Sequence, residues 1–348
     1  MTAAKHLTHL RTRIVRVASP ISFVAAISCA TTTTRLRTAQ LPTAGGDGQG
    51  YRFEKLAGGK DENKLFVCLA LSGGGTRAAA LAYGAMLALR QTHIDWPRPG
   101  ETLLNEVDCI SSVSGGSFPA AYYALYHDKL FEDFEGRVLY RNIEGRLLLK
   151  ALSPWNWFWL ASPYYSRVDL AADMYDEELF DYSSYGLLIS QARRPFVIFN
   201  ATNIGSGNRF PFTQDQFDLI GSDLGTYPVA RAVAASSAFP FLLSPITLEN
   251  YQPLQGFPTL TEYQTGLQDY YNNRSRYYWS QSQLGYVDKP HPYVHLMDGG
   301  LADNIGLRPI MNAYEQSNGV HQSQHSRHRS AGSHRRQCKD GIKRHDQR

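Results

Sequence analysis

The chain has 348 residues, 43% of them hydrophobic, enough apolar material for one large domain or two small ones. Its net charge of +4 sits at the ends: residues 1–37 carry six Lys/Arg and no acid, while residues 316–348 carry eight Lys/Arg against Asp340 and Asp346. Each end is therefore +6 and the body between them −8, which excludes a nucleic-acid-binding surface on the folded part.

In chain order, Lys5, Arg11, Arg13 and Arg16 precede a mostly apolar run from Val17 to Ala30, too short to span a bilayer. It ends in "AAISCATTTT", which resembles a bacterial lipoprotein cleavage site, where the cysteine receives the lipid. Ala26 stands where that motif usually has Leu, Val or Ile, and a plain secretory peptide is the alternative. The expectation is a signal peptide over 1–29, with Cys29 anchoring the protein in the bacterial cell envelope facing the periplasm. Residues 30–60, with "TAGGDGQG", read as a flexible linker. No later apolar stretch is long enough to span a membrane as a helix.

Leu65–Leu71 is a continuous apolar run, which suits a strand buried on both faces of a parallel sheet. Three glycines, Gly73–Gly75, follow it, and then Ala78–Leu89, apolar nearly all round, predicts a buried helix. "VDCISSVSGGSFPAAYYALY" repeats the order of strand, tight Ser/Gly turn and helix, with Pro119 acceptable in the first helical turn. "PFVIFNATN" from Pro195 and "PYVHLMDGG" from Pro292 predict two more strands. Strands alternating with helices imply an α/β fold with a mainly parallel sheet, whose sites lie at the carboxyl ends of strands. Cys68 and Cys109 read as small buried hydrophobes, and the cysteine spacing gives neither a metal site nor a disulfide framework.

Ser112-Val113-Ser114-Gly115-Gly116 has the form of a nucleophile elbow, a sharp strand-to-helix turn that pushes a serine hydroxyl above the sheet. Ser112 stands where the usual pattern has glycine. Ser111 and Ser117 are rival hydroxyls, but only Ser114 has small residues at both flanking places. A serine needs a base. The histidines after Asp298 lie in the tail from His321 onward, and His295 points to the opposite face of its strand from Asp298. A Ser-His-Asp triad is therefore hard to assemble. Asp298, followed by Gly299-Gly300, can accept the Ser114 proton directly if desolvation raises its basicity; the plainer alternative is a turn after a strand.

The glycine loop with Arg77, the Ser114 elbow with Gly116 and the Asp298-Gly299 pair, in this order, resemble the patatin-like phospholipase family. "NATNIGSGNRFPFTQ", "AASSAFPFLLSPITL" and "DGGLADNIGLRP" extend the resemblance over Leu65–Pro309. It implies a three-layer α/β fold with a mainly parallel central sheet, related to α/β-hydrolase architecture, occupying residues 61–315. It implies a lipid acyl hydrolase with Ser114 as nucleophile and Asp298 as base. The amides of Gly73, Gly74 and Gly75 would form the oxyanion hole, with Arg77, Gly116 and Gly299 in support; Arg77 braces the loop or faces a substrate phosphate, bracing being favoured. Asn203 and Arg209 belong to the pocket wall or its support. Membrane phospholipids or other acyl lipids are the implied partners, and no cofactor or metal is required. A serine esterase or thioesterase, and a non-catalytic envelope lipoprotein, are the alternatives.

Trp155, Trp157, Phe158 and Trp159 either line an acyl pocket, dip into a lipid interface, or pack inward on a lid helix, the last being favoured. "LQDYYNNRSRYYWSQSQ" from Leu267 predicts a surface insertion near the mouth of the site. From residue 316 the chain has almost no core-forming residues and reads as a solvated basic tail, as if the domain were cut short.

Overall fold

The apolar runs become strands of one six-stranded sheet: β1 (Val67–Leu71), β2 (Val107–Val113), β3 (Phe196–Asn203), β4 (Asn208–Pro211), β5 (Ile246–Glu249) and β6 (Tyr293–Asp298). The computed structural model describes residues 38–41, 50–53, 66–95, 99–162, 165–251, 258–288 and 291–313. The leader with Cys29, most of the linker, Cys338 and the basic tail lie outside the described residues; of the expected flexible linker, Thr38 bonds Ser222 and Tyr51 is buried in the core.

The spatial order is β1-β2-β3-β6-β5, with β4 paired to β3. β1, β2 and β3 are parallel neighbours, β6 runs antiparallel to both β3 and β5, and β4 runs antiparallel to β3. β1, β2, β3 and β5 thus point one way, so most strands are parallel. β2 is buried along its whole length, as a strand covered on both faces must be.

Helices flank this sheet in the three-layer α/β arrangement: α1 (Gly75–Gln91), α2 (Ser117–Tyr126), α3 (Ile143–Leu152), α4 (Pro154–Leu160), α5 (Arg167–Tyr175), α6 (Val229–Ser236), α7 (Pro258–Gly266), α8 (Arg274–Asp288) and α9 (Gly300–Asp303), with further short helices over Leu130–Phe134, Tyr185–Gln191 and Gln214–Asp218 and single turns between them. α6 is buried at every position, and α2 from Ser117 to Leu125 apart from Phe118. α1 departs from expectation: it buries Ala78, Ala79, Ala82, Tyr83 and Met86 but leaves Leu81 exposed. Its alanines are good helix formers on either face, so composition overstated its burial. Among the described residues no helix is long and apolar enough to cross a membrane.

Polar contacts fix how the helices sit. On α5, Asp169 closes a capping box with Ser166 and also meets Arg231 of α6, Nη1 to Oδ1, at 2.7 Å. Both side chains are nearly buried, so the pair holds α5 to α6, the helix that ends beside the Ser114 elbow.

The cysteine expectation is corrected. Parallel register sets Cys68 of β1 opposite Cys109 of β2, their Cα atoms 4.6 Å apart, and the two form a disulfide. The 41-residue separation hides a pairing that only the strand register creates.

Candidate active site

Ser114 occupies the turn between β2 and α2 with φ at 49°, the left-handed region a non-glycine residue rarely adopts. This is the backbone signature of the predicted elbow. Gly116 is there for space: a Cβ would lie 2.7 Å from the Leu71 carbonyl oxygen and 2.8 Å from that of Ser72. Ser112 fits the place of the usual glycine because its hydroxyl is satisfied within the sheet, donating to the Ile198 carbonyl at 3.2 Å.

Asp298 ends β6, which runs against β1–β3, and the two residues still meet. Val113 pairs with Asn200 and Asp298 pairs with Ala201, so Ser114 and Asp298 flank the same rung of β3 from opposite sides. The Ser114 hydroxyl donates to Asp298 Oδ2 at 2.8 Å. The Gly300 amide donates to Oδ1 at 2.7 Å, so both carboxylate oxygens are engaged. Burial pushes the Asp298 carboxyl above its usual range, against the opposing pull of the Gly300 and Ser114 hydrogen bonds. A carboxylate with raised proton affinity, touching a hydroxyl, is chemically suited to take that proton. Gly299 lets the turn press on β3, since a Cβ there would strike the Asn200 carbonyl. His295 faces away, as alternation predicts, and bonds Thr247 Oγ1 through Nδ1 at 2.9 Å.

The three loop glycines are not equivalent. The Gly73 amide donates to the Asn304 carbonyl at 2.9 Å, which takes it out of the expected set of oxyanion donors. Asp303 makes this possible: its carboxylate accepts the amides of Gly306 and Arg308 at 3.2 and 2.9 Å and folds the loop that carries Asn304. Gly74 and Gly75, with φ of 137° and 63°, remain at the start of α1, exposed to the cavity that contains Ser114 and Asp298. Gly115 lines the same cavity.

That cavity is about 600 Å³, within the range of small-molecule sites. One end is polar, formed by the Ser114–Asp298 pair and the glycine loop; the wall beyond is apolar, with Phe118, Val138, Leu147, Tyr175 and Leu243. Arg77 lines it with an exposed side chain, and among the described residues no hydrogen bond or ion pair holds it, so the bracing role is not found. Phe239 and Leu242 line the cavity and are exposed, beside Phe241, which is 94% exposed.

Other expected residues fall elsewhere. Asn203 donates to the Tyr286 hydroxyl at 3.0 Å, and Arg209 is buried under Trp279, 4.4 Å from the ring centre. Both support the α8 side of the sheet rather than the cavity. The Tyr-rich stretch forms the turn after α7 and most of α8, and its Ser282 borders a second cavity, so it is not at the mouth of the site. On α4, Trp159 packs inward against Tyr165, while Trp155 and Trp157 face solvent, so the inward-packed helix holds for one tryptophan of three. Thr202 was not singled out from sequence; its hydroxyl donates to the Asp298 carbonyl at 2.9 Å and accepts the Ala302 amide at 3.2 Å, holding the turn after β6.

A serine on a strand-to-helix elbow of an α/β sheet, hydrogen-bonded to a buried carboxylate, is the kind of arrangement that serine-hydrolase chemistry requires. A family model described as patatin-like phospholipase matches residues 69–311, and the chain belongs to that family of lipid-hydrolysing enzymes. Among solved structures, human GIVD cytosolic phospholipase A2 is similar at 16% identity and a TM-score of 0.43, covering 85% of this chain. The chain spans 48% of that protein's length. No curated protein sequence matches the chain.

Proposed function

We propose that the chain hydrolyses fatty-acyl esters of membrane phospholipids through a Ser114–Asp298 dyad. The observation that carries this is the 2.8 Å hydrogen bond between two side chains 184 positions apart, at the polar end of an otherwise apolar cavity. Ser114 Oγ attacks the acyl carbonyl while its proton passes to Asp298 Oδ2. Amides of Gly74, Gly75 and Gly115 receive the negative oxygen of the tetrahedral intermediate, each donor worth about 3–4 kcal/mol to the transition state. The leaving alkoxide takes the proton from Asp298. A water then loses its proton to Asp298, attacks the acyl-enzyme, and releases the fatty acid with Ser114 restored.

The apolar wall suits an acyl chain, and the uncommitted Arg77 charge suits a phosphate head group. Exposed Phe239, Phe241 and Leu242 beside the mouth suit a substrate drawn from a lipid surface. Lipid on Cys29 would place the enzyme at the bacterial envelope membrane; mass spectrometry of mature protein finding an unmodified Cys29 would refute that part. The central test assays the full chain on phospholipid vesicles, a short soluble ester and an acyl thioester, beside Ser114→Ala. Phospholipid cleavage lost in Ser114→Ala is the expected result. Activity that survives in the variant refutes the nucleophile; cleavage confined to the thioester makes the protein a thioesterase; a well-folded sample inert on all three makes it non-catalytic.

A further inference from the structure

Ser236, the last residue of α6, bonds Ser114 and the residue after Asp298 although it does not line the cavity. It is fully buried. Its hydroxyl accepts the backbone N–H of Ser114 at 2.9 Å and donates to the Asn200 carbonyl at 2.7 Å. Its own carbonyl accepts the N–H of Gly299, the residue after Asp298, at 3.1 Å. Two residues further on, the Ala238 carbonyl accepts the N–H of Asp298 at 3.0 Å.

These bonds have a geometric consequence. With its proton committed to Asn200, the Ser236 oxygen is an oriented acceptor, and the neighbouring Ser117 hydroxyl, 3.0 Å away, becomes the donor of their contact. Ser117 also lies 3.2 Å from Ser112 Oγ, whose own proton goes to the Ile198 carbonyl, so the single Ser117 proton is shared between two acceptors beneath the elbow. Ser114 needs such an anchor, because its left-handed φ is a conformation the chain leaves unless its surroundings hold it. The side chain of one residue therefore fixes the nucleophile's backbone, and the main chain of the same residue fixes the turn carrying the base.

We propose that Ser236 is a positioning residue that sets the distance between Ser114 Oγ and Asp298 Oδ2. The proposal rests on the dyad reading above. It acts through catalysis rather than substrate capture, since a slight misplacement of reacting groups lowers the rate of chemistry and leaves binding intact.

The test compares the full chain with Ser236→Ala, Ser236→Cys and Ser236→Thr. Cysteine keeps nearly the volume of serine but is a weak acceptor; threonine keeps the hydroxyl. The measurements are thermal midpoint, kcat and KM on a soluble short-chain ester, and the rate at which a fluorophosphonate labels the serine, with the labelled residue mapped by mass spectrometry. Label on another serine in the unmutated protein would refute the dyad reading itself, independently of Ser236. With the label on Ser114, the Ala and Cys variants should lose about 10- to 100-fold in kcat and in labelling rate, with KM within about twofold. Threonine should recover both to within about fivefold. Wild-type kcat in the folded Cys or Ala variant overturns the proposal, as does a loss confined to KM. A Thr variant as impaired as the Ala variant overturns it too. If Ala and Cys both lower the thermal midpoint while their folded fraction labels at the wild-type rate, Ser236 is structural only.

Discussion

Replacing Asp298 by Asn removes the base while keeping the shape of the site. The Asn oxygen can still accept the Gly300 amide, as Asp298 Oδ1 does at 2.7 Å, and the amide nitrogen can donate to Ser114 Oγ across the present 2.8 Å contact. What disappears is proton acceptance. A positioned general base contributes about 10²–10⁴ in rate, or about 3–5.5 kcal/mol at 1.36 kcal/mol per decade. Among the described residues no other side chain accepts the Ser114 proton, so the loss in kcat/KM should lie at the upper end, near 10⁴. Stability should move the other way. Burial raises the Asp298 pKa on folding, so the folded chain holds this proton more tightly than the unfolded chain. Such a group makes stability fall as pH rises from the unfolded pKa through the folded one, and above that window the native state carries the full cost of a buried carboxylate. Asn carries no charge. Asp298→Asn should therefore exceed wild type in urea-unfolding free energy at neutral pH, with the gap closing toward acid pH. Wild-type kcat/KM should fall with decreasing pH through an apparent pKa above the usual carboxylate range. An Asp298→Asn enzyme within tenfold of wild type would refute the dyad. A variant less stable than wild type at neutral pH would refute the desolvation account.

Three further substitutions separate backbone from charge. Gly75→Ala meets no atom within 4 Å but must hold φ at 63°, so about 1–2 kcal/mol of stability should be lost, with kcat down about 10²-fold as the amide shifts. Gly84→Ala within α1, with open space and no positive φ, should instead gain about 0.5–1 kcal/mol in denaturant unfolding and leave kcat unchanged. Asp169→Ala leaves the Arg231 guanidinium buried without its carboxylate and should cost about 3–5 kcal/mol by urea titration; a cost under 1 kcal/mol would show that the pair does not hold α5 to α6.

The parts of this site visible in sequence are those whose chemistry is local. β1, β2, β3 and β6 announce themselves as apolar runs stopped by small residues, and the elbow requires Ser114 between Val113 and Gly115. β4 and β5, at four residues each, are too short for a period-2 pattern to register. The reversed direction of β6 is equally silent, because a strand's composition says nothing of its neighbour's polarity. Gly73 is indistinguishable from Gly74 until the loop after α9 brings the Asn304 carbonyl onto its amide. Ser236 shows the same limit: "AASSAFPF" displays two adjacent serines, and only a bond to a residue 122 positions earlier tells one from the other.

The order in which the chain emerges gives β6 a further meaning. It enters the sheet between β3 and β5, and among the described residues β5 has no other strand beside it, so β5 joins the sheet only once residues 293–298 are in place. Ser114 leaves the ribosome 184 residues ahead of its proton acceptor, about 10–40 s at ~5–20 residues per second. Throughout that interval the nascent elbow carries an ordinary alcohol. On the dyad reading, reactivity arrives only with β6, so the strand that joins β5 to the sheet is also the one that arms the serine.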